Sequence, residues 1–282
     1  MITERSVTDS FLRRVGAFLD RKINPVKMDH DALYLDLLQK PVRAFRADGS
    51  AASWGADNSV NLLTDGISVV ETYFNDPGTP AWTFNQGASG MDLENGTPAT
   101  DDGWEFYPPL IAVDSDVPGG HFKAGTDDAY IRLAMNLVDV SDLNTVICGF
   151  RRVQAVDAAL DYNANYTDFA YLGIVASAAT ALIQTRVRKN SGAVTTTDSL
   201  LTWADGATKE LTVRLSSNGG VLFEIGGVRP AVLHAPTIAA PHVFDSGDFL
   251  VPSFICRRQG TGSGASYLRK LEWGPQRCLG YV

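Results

Sequence analysis

Three aspartate pairs are the first residues in the chain that invite chemistry: Asp101 with Asp102, Asp114 with Asp116, and Asp127 with Asp128. Carboxylates grouped in loops can supply the roughly six to eight oxygens that Ca²⁺ requires. No EF-hand spacing accompanies them, so solvated loop acids are the simpler reading and a structural ion the lesser one. Asp29-His30-Asp31 sets a base between two acids, yet either aspartate can cap a helix there, and capping is preferred. His121 follows two glycines and precedes Phe122, which reads as a turn; His234 and His242 form no HExxH motif. There is no GxSxG elbow, and no cysteine lies near a histidine in sequence, so nucleophilic catalysis has no visible apparatus. Gly260-Thr261-Gly262-Ser263-Gly264 imitates a phosphate loop but lacks the GK[ST] ending, and reads as a strand connector. No catalytic, metal or cofactor-binding residue is assigned.

Aromatic side chains leave a different option, stacking against sugars. Trp203 and Trp273 sit in strand-like context and read as core. Trp82 and Trp104 fall in a turn-rich region, which makes them the candidate glycan contacts. The three cysteines, Cys148, Cys256 and Cys278, are odd in number, widely spaced and without a CxxC pair. A disulfide framework or zinc site is therefore not expected; Cys148 and Cys256 lie in apolar runs and read as small core residues.

The elements that must position these residues change character along the chain. In residues 1–46 the apolar Phe11, Leu12, Val15, Phe18, Leu19 and Ile23 recur at threes and fours, which predicts an amphipathic helix over 8–23 ending at Asn24-Pro25. A second short helix is expected on Leu33, Tyr34, Leu37 and Leu38, stopped by Pro41. A helical preface must bury its stripe somewhere, so Phe11, Leu12, Val15, Phe18 and Leu19 are the candidates for joining copies of the chain or docking a partner.

Residues 47–128 are rich in glycine, proline, aspartate and asparagine turn signals. From residue 129 onward period-two alternation becomes plain, as in Ile131, Leu133, Met135 and Leu137, then Val146, Cys148 and Phe150. Residues 169–176 and 181–188 read as two further strands. Leu211, Val213 and Leu215, the turn at Asn218-Gly219, and Val221, Phe223 and Ile225 spell a hairpin. Phe249 to Cys256 and Tyr267 to Trp273 supply two more. Strands at this spacing with no intervening helices predict a mostly β protein, an antiparallel β-sandwich preceded by a short N-terminal α-helical segment. The expected division is 1–46 as helical anchor and 47–282 as sandwich.

The net charge of −8 is unevenly spread. Residues 1–46 hold 9 bases and 6 acids, 47–128 hold 1 base and 14 acids, and 129–282 hold 14 bases and 12 acids. The acidic middle argues against nucleic acid as a partner, since phosphate contacts need clustered lysine and arginine. Residues 1–9 are polar, and the longest uncharged run, 169–185, is shorter than the ~20 residues of a spanning helix. A soluble protein made in a cytoplasm, without membrane insertion, is expected.

The segment from about Tyr162 to Gln276 resembles the concanavalin A-like (laminin G-like) jelly roll of many tailed-phage virion proteins. The resemblance rests on Asp168–Ile174, on Leu201-Thr202-Trp203-Ala204-Asp205-Gly206, on Lys209–Ile225, on Gly247–Pro252 and on Leu268–Gly274. It implies a non-enzymatic structural role, because the paired glutamates of the family's glycan-cleaving members, in the pattern E-x-D-x-x-E, are absent. It implies a capsid decoration (cement) protein or head fibre, a homotrimer located in the virion and docked on other virion proteins such as the major capsid protein. The alternative it leaves open is a tail-fibre adhesin that binds a host-surface glycan.

Overall fold

The computed structural model describes residues 33–36, 59–64, 68–75, 85–87, 90–93, 103–107, 121–155, 160–175, 181–233, 243–258 and 266–275. The strands of the first half are β1 (Leu33–Asp36), β2 (Ser59–Thr64), β3 (Ser68–Asn75), β4 (Asn85–Gly87), β5 (Gly90–Asp92), β6 (Gly103–Tyr107) and β7 (Phe122–Lys123). Those of the middle are β8 (Ala129–Leu137), β9 (Leu143–Arg152), β10 (Phe169–Val175), β11 (Leu182–Arg188) and β12 (Thr195–Thr202). The last are β13 (Thr208–Leu215), β14 (Val221–Ile225), β15 (Phe249–Arg258) and β16 (Ser266–Pro275). One short helix, α1 (Tyr162–Asn165), precedes β10.

Every strand pairing among the described residues is antiparallel, and the strands form two sheets. One runs β14-β13-β8-β16-β5-β4, with β1 also on β16; the other runs β12-β11-β10-β9-β15-β6-β3-β2, with β7 on β15. Both sheets send alternate residues into one shared core. Ile131, Leu133, Met135, Leu211, Val213, Leu271 and Trp273 come from the first sheet, and Trp104, Phe106, Val146, Cys148, Phe150, Leu172, Phe254 and Cys256 from the second. The protein is thus a mostly β antiparallel sandwich, and the period-two runs put their apolar sides inward as a half-buried strand must. Trp203 and Trp273 are core residues, as are Cys148 and Cys256.

The hairpin read at Asn218-Gly219 joins β13 to β14, with Leu211 opposite Ile225 and Leu215 opposite Val221. Gly219 takes the positive φ of +81° that its turn needs, and the Asn218 side chain accepts the Gly220 amide. Gly149 on β9 is demanded by close approach: a Cβ there would lie 1.9 Å from the Ala170 carbonyl oxygen of β10.

One local expectation fails. Leu33–Asp36 is a strand, not the start of a second helix, and it pairs with β16 from Leu33↔Trp273 to Asp36↔Lys270. Leu33, Tyr34, Leu37 and Leu38 fit a helical stripe, but so short a run carries either period, and β16 offers an edge left open beyond its pairing with β5 at Tyr267 and Leu268. The turn-rich middle also holds more strand than its composition suggests, since β2, β3 and β6 complete one end of the larger sheet. The helix expected over 8–23, with Phe11, Leu12, Val15, Phe18 and Leu19, lies outside the described residues, as does Trp82. Among the described residues no helix is long and apolar enough to cross a membrane.

Candidate ligand-binding face

The residues that alternate with the core on the larger sheet define its outer face. Across β6, β15, β9 and β10 they are Glu105, Ser253, Ile255, Ile147, Arg151, Phe169 and Tyr171, every one fully buried. A sheet face this polar is buried only if its hydrogen bonds are met internally. Glu105 does most of that. Its Oε1 accepts Arg151 Nε and Ser253 Oγ, each at 2.7 Å, and its Oε2 accepts the Tyr166 hydroxyl at 2.5 Å. Tyr171 donates its hydroxyl to Ser253, and Arg151 Nη1 donates to the carbonyls of Arg152 and Gln154. The Arg151 guanidinium also stacks 4.4 Å from the Tyr166 ring centroid, a cation–π contact in a dry setting.

Charges this deep shift proton affinities in predictable directions. Burial disfavours the Arg151 cation, but Glu105 outweighs it and the side chain holds its proton more tightly than usual. Burial first, and the Glu105 carboxylate second, push the Tyr166 phenol up, so it stays a donor.

Over this floor lies α1. Asp161 caps it by accepting the amides of Asn163 and Ala164, and Arg188 of β11 fastens its other end by donating to the carbonyls of Asn163 and Tyr166. The helix lays Tyr162 edge-on against Phe169 and Tyr171, at centroid distances of 5.3 and 5.6 Å. Arg186 stands beside Tyr171 in register on β11, and Gln184 stands beside Gly173.

Not every polar atom on this face is met from within. Among the described residues, Tyr162 Oη, Asn163 Oδ1, Arg186 Nε, Arg151 Nη2 and His121 Nε2 are all buried without a hydrogen-bond partner. His121 immediately precedes β7, and both burial and the nearby Arg151 cation lower its pKa, which favours the neutral imidazole. Burial raises the Tyr162 pKa, with the Asp161 charge adding to the rise, against Arg186, a side-chain interaction with Asn163, and Arg257, so the hydroxyl keeps its proton. The set combines guanidinium and phenol donors with an amide oxygen and an imidazole, the complement of a ligand carrying many hydroxyls.

Of the residues singled out from sequence, Trp104 is corrected: it is 1% exposed, packed in the core, with its indole N–H donated to the Leu93 carbonyl. Its place in β6 points it at the other sheet, so it cannot stack a glycan. Asp127 and Asp128 accept the amides of Lys123 and Ser217 at 2.6 Å, which ties two turns. Among the described residues no group of three or more His, Cys, Asp or Glu could hold a metal ion. Sequence reading passed over Glu105, Arg151, Tyr162, Asn163 and Arg186. Of these, only Arg151 follows the alternating run of Val146, Cys148 and Phe150 on β9; the others sit on β6, α1 and β11.

The fold and this face define a β-sandwich with a polar, incompletely satisfied outer sheet surface. No family model matches the chain, and no curated protein matches it in sequence. Solved structures similar to it include the potassium-bound carbohydrate recognition domain of Emp46p, at 7% identity and TM-score 0.49, covering 87% of this chain and 97% of that one. The T. cruzi calreticulin globular domain has 9% identity and TM-score 0.42 over 86% and 87% of the two chains. The receptor-binding domain of botulinum neurotoxin D has 7% identity and TM-score 0.45, over 88% of this chain and 50% of that one. Likeness at this level carries no argument about a ligand; only the chain's own residues can.

Proposed function

We propose that the protein is a non-catalytic glycan-binding module whose site lies on the outer face of the larger sheet, where α1 crosses β9, β10 and β11. One observation carries the reading: buried hydrogen-bonding atoms of Arg151, Tyr162, Asn163 and Arg186 lack partners in one region. Nearly all such atoms in folded proteins are paired with protein or ordered water, so this group of exceptions is where a ligand's hydroxyls can take water's place, since sugar hydroxyls both donate and accept. Glu105 supports a binding role over catalysis, because three donors commit its carboxylate to holding the floor. Its partners are fold residues rather than a second acid of the kind glycoside hydrolysis requires.

A second reading places the same module in a virion. It rests on the resemblance of residues 162–276 to tailed-phage jelly rolls and on the apolar stripe at Phe11, Leu12, Val15, Phe18 and Leu19. There the protein is a homotrimer docked on other virion proteins, and a glycan-binding face turned outward makes it an adhesin. Light scattering of the full chain tests that part, since a strict monomer excludes the trimer. Glycan-array screening tests the first: discrete hits are expected, and a blank array contradicts a glycan ligand.

A further inference from the structure

We infer that the glycan is acidic, a sugar chain bearing carboxylates that dock on Arg186; this rests on the glycan-binding reading above. The arginines of the outer face divide by what they already do. Arg151 is bound to Glu105 and two carbonyls, and Arg188 donates to the carbonyls of Asn163, Tyr166, Ser191 and Gly192. Arg186 differs from these two, because it is half-buried, its Nε has no partner, and among the described residues it forms no ion pair. Its position beside Tyr171 sets it at the foot of Tyr162, whose hydroxyl feels Arg186 as its strongest nearby charge, ahead of the opposing Asp161 and of Arg257.

The described acids near this spot are already engaged. Asp161 caps α1, and Asp198, opposite Gln184 in register, accepts the Leu200 amide. Neither forms an ion pair with Arg186. A guanidinium held partly out of water without a counter-ion is costly, and its planar fork matches a carboxylate in two parallel hydrogen bonds. Tyr162 packs against Tyr171, the register neighbour of Arg186, which sets its phenol in the same region. A neutral sugar hydroxyl satisfies single atoms but leaves the charge unmatched.

The test compares binding of the full chain to polygalacturonate, hyaluronan and polysialic acid with binding to amylose and fully methyl-esterified polygalacturonate, by titration calorimetry. The esterified polymer keeps the sugar backbone and removes the charge. At least one acidic probe is expected to bind about tenfold or more tighter than either neutral probe. Arg186→Gln, a substitution at a partly exposed position, removes that preference while the melting temperature holds, and Arg186→Lys restores only part of it. Equal binding of acidic and neutral probes, or a preference that survives Arg186→Gln, overturns the acidic ligand and leaves glycan binding standing. Failure of every probe, together with a blank glycan array, overturns both.

Discussion

Removing the Glu105 charge is the sharpest test of how the outer face is held. Glu105 and Arg151 are both fully buried and joined at 2.7 Å, so Glu105→Gln leaves a guanidinium cation in the interior with no counter-charge. Breaking a buried pair from one side costs about 3–5 kcal/mol, and the Tyr166 and Ser253 hydrogen bonds lose their charge assistance as well. That is a large part of the ~5–15 kcal/mol by which domains are stable, and corresponds to roughly 10 °C or more in melting temperature. Arg151→Met strands the carboxylate instead and is expected to cost a similar amount. The double variant leaves no unpaired charge, so its loss falls well below the sum of the singles, with a coupling of about 2–3 kcal/mol. Urea unfolding of the four proteins, extrapolated to water, measures this cycle. Singles that each cost under about 1 kcal/mol, the value of an exposed pair, would refute the buried network as described. So would losses that add within about 0.5 kcal/mol.

Two more outcomes are expected from the same geometry. Burial and Arg151 lower the His121 pKa, so the unfolded chain binds the extra proton more readily. The His121 contribution is therefore complete above its unfolded pKa of about 6.5 and is lost as pH falls toward the folded value; unfolding followed from pH 8 to pH 5 shows this loss in the wild type and less of it in His121→Gln. Gly149→Ala drives a methyl group against the Ala170 carbonyl and is expected to cost about 3 kcal/mol or more, whereas Gly206→Ala, at φ +70° with open space around it, costs about 1–2 kcal/mol by thermal melting.

The sandwich was legible because its strongest strands have one face in the core. Ile131 to Leu137 and Leu211 to Leu215 alternate cleanly, and Asn218-Gly219 names its own turn. The site was not legible, for the same reason inverted. β9 and β10 are buried on both faces, so Ile147, Phe169 and Tyr171 read as plain core and hid the polar row of Glu105, Arg151 and Ser253 between them. No local spacing links Glu105 to Arg151 or Ser253, which sheet pairing alone brings together. Trp104 misled because turn-rich surroundings suggested exposure, while its strand turned it inward. Leu33–Asp36 misled because so short a segment takes its structure from its partner β16.

The most direct measurement is the affinity of the full chain for its best array glycan, taken for the wild type, Tyr162→Phe and Asn163→Ala. Each variant removes one unpartnered group without touching the core between the sheets, so unchanged melting and a three- to tenfold weaker binding, about one hydrogen bond, is the expected result. Glycan binding at wild-type strength in both variants would contradict the placement of the site on this face.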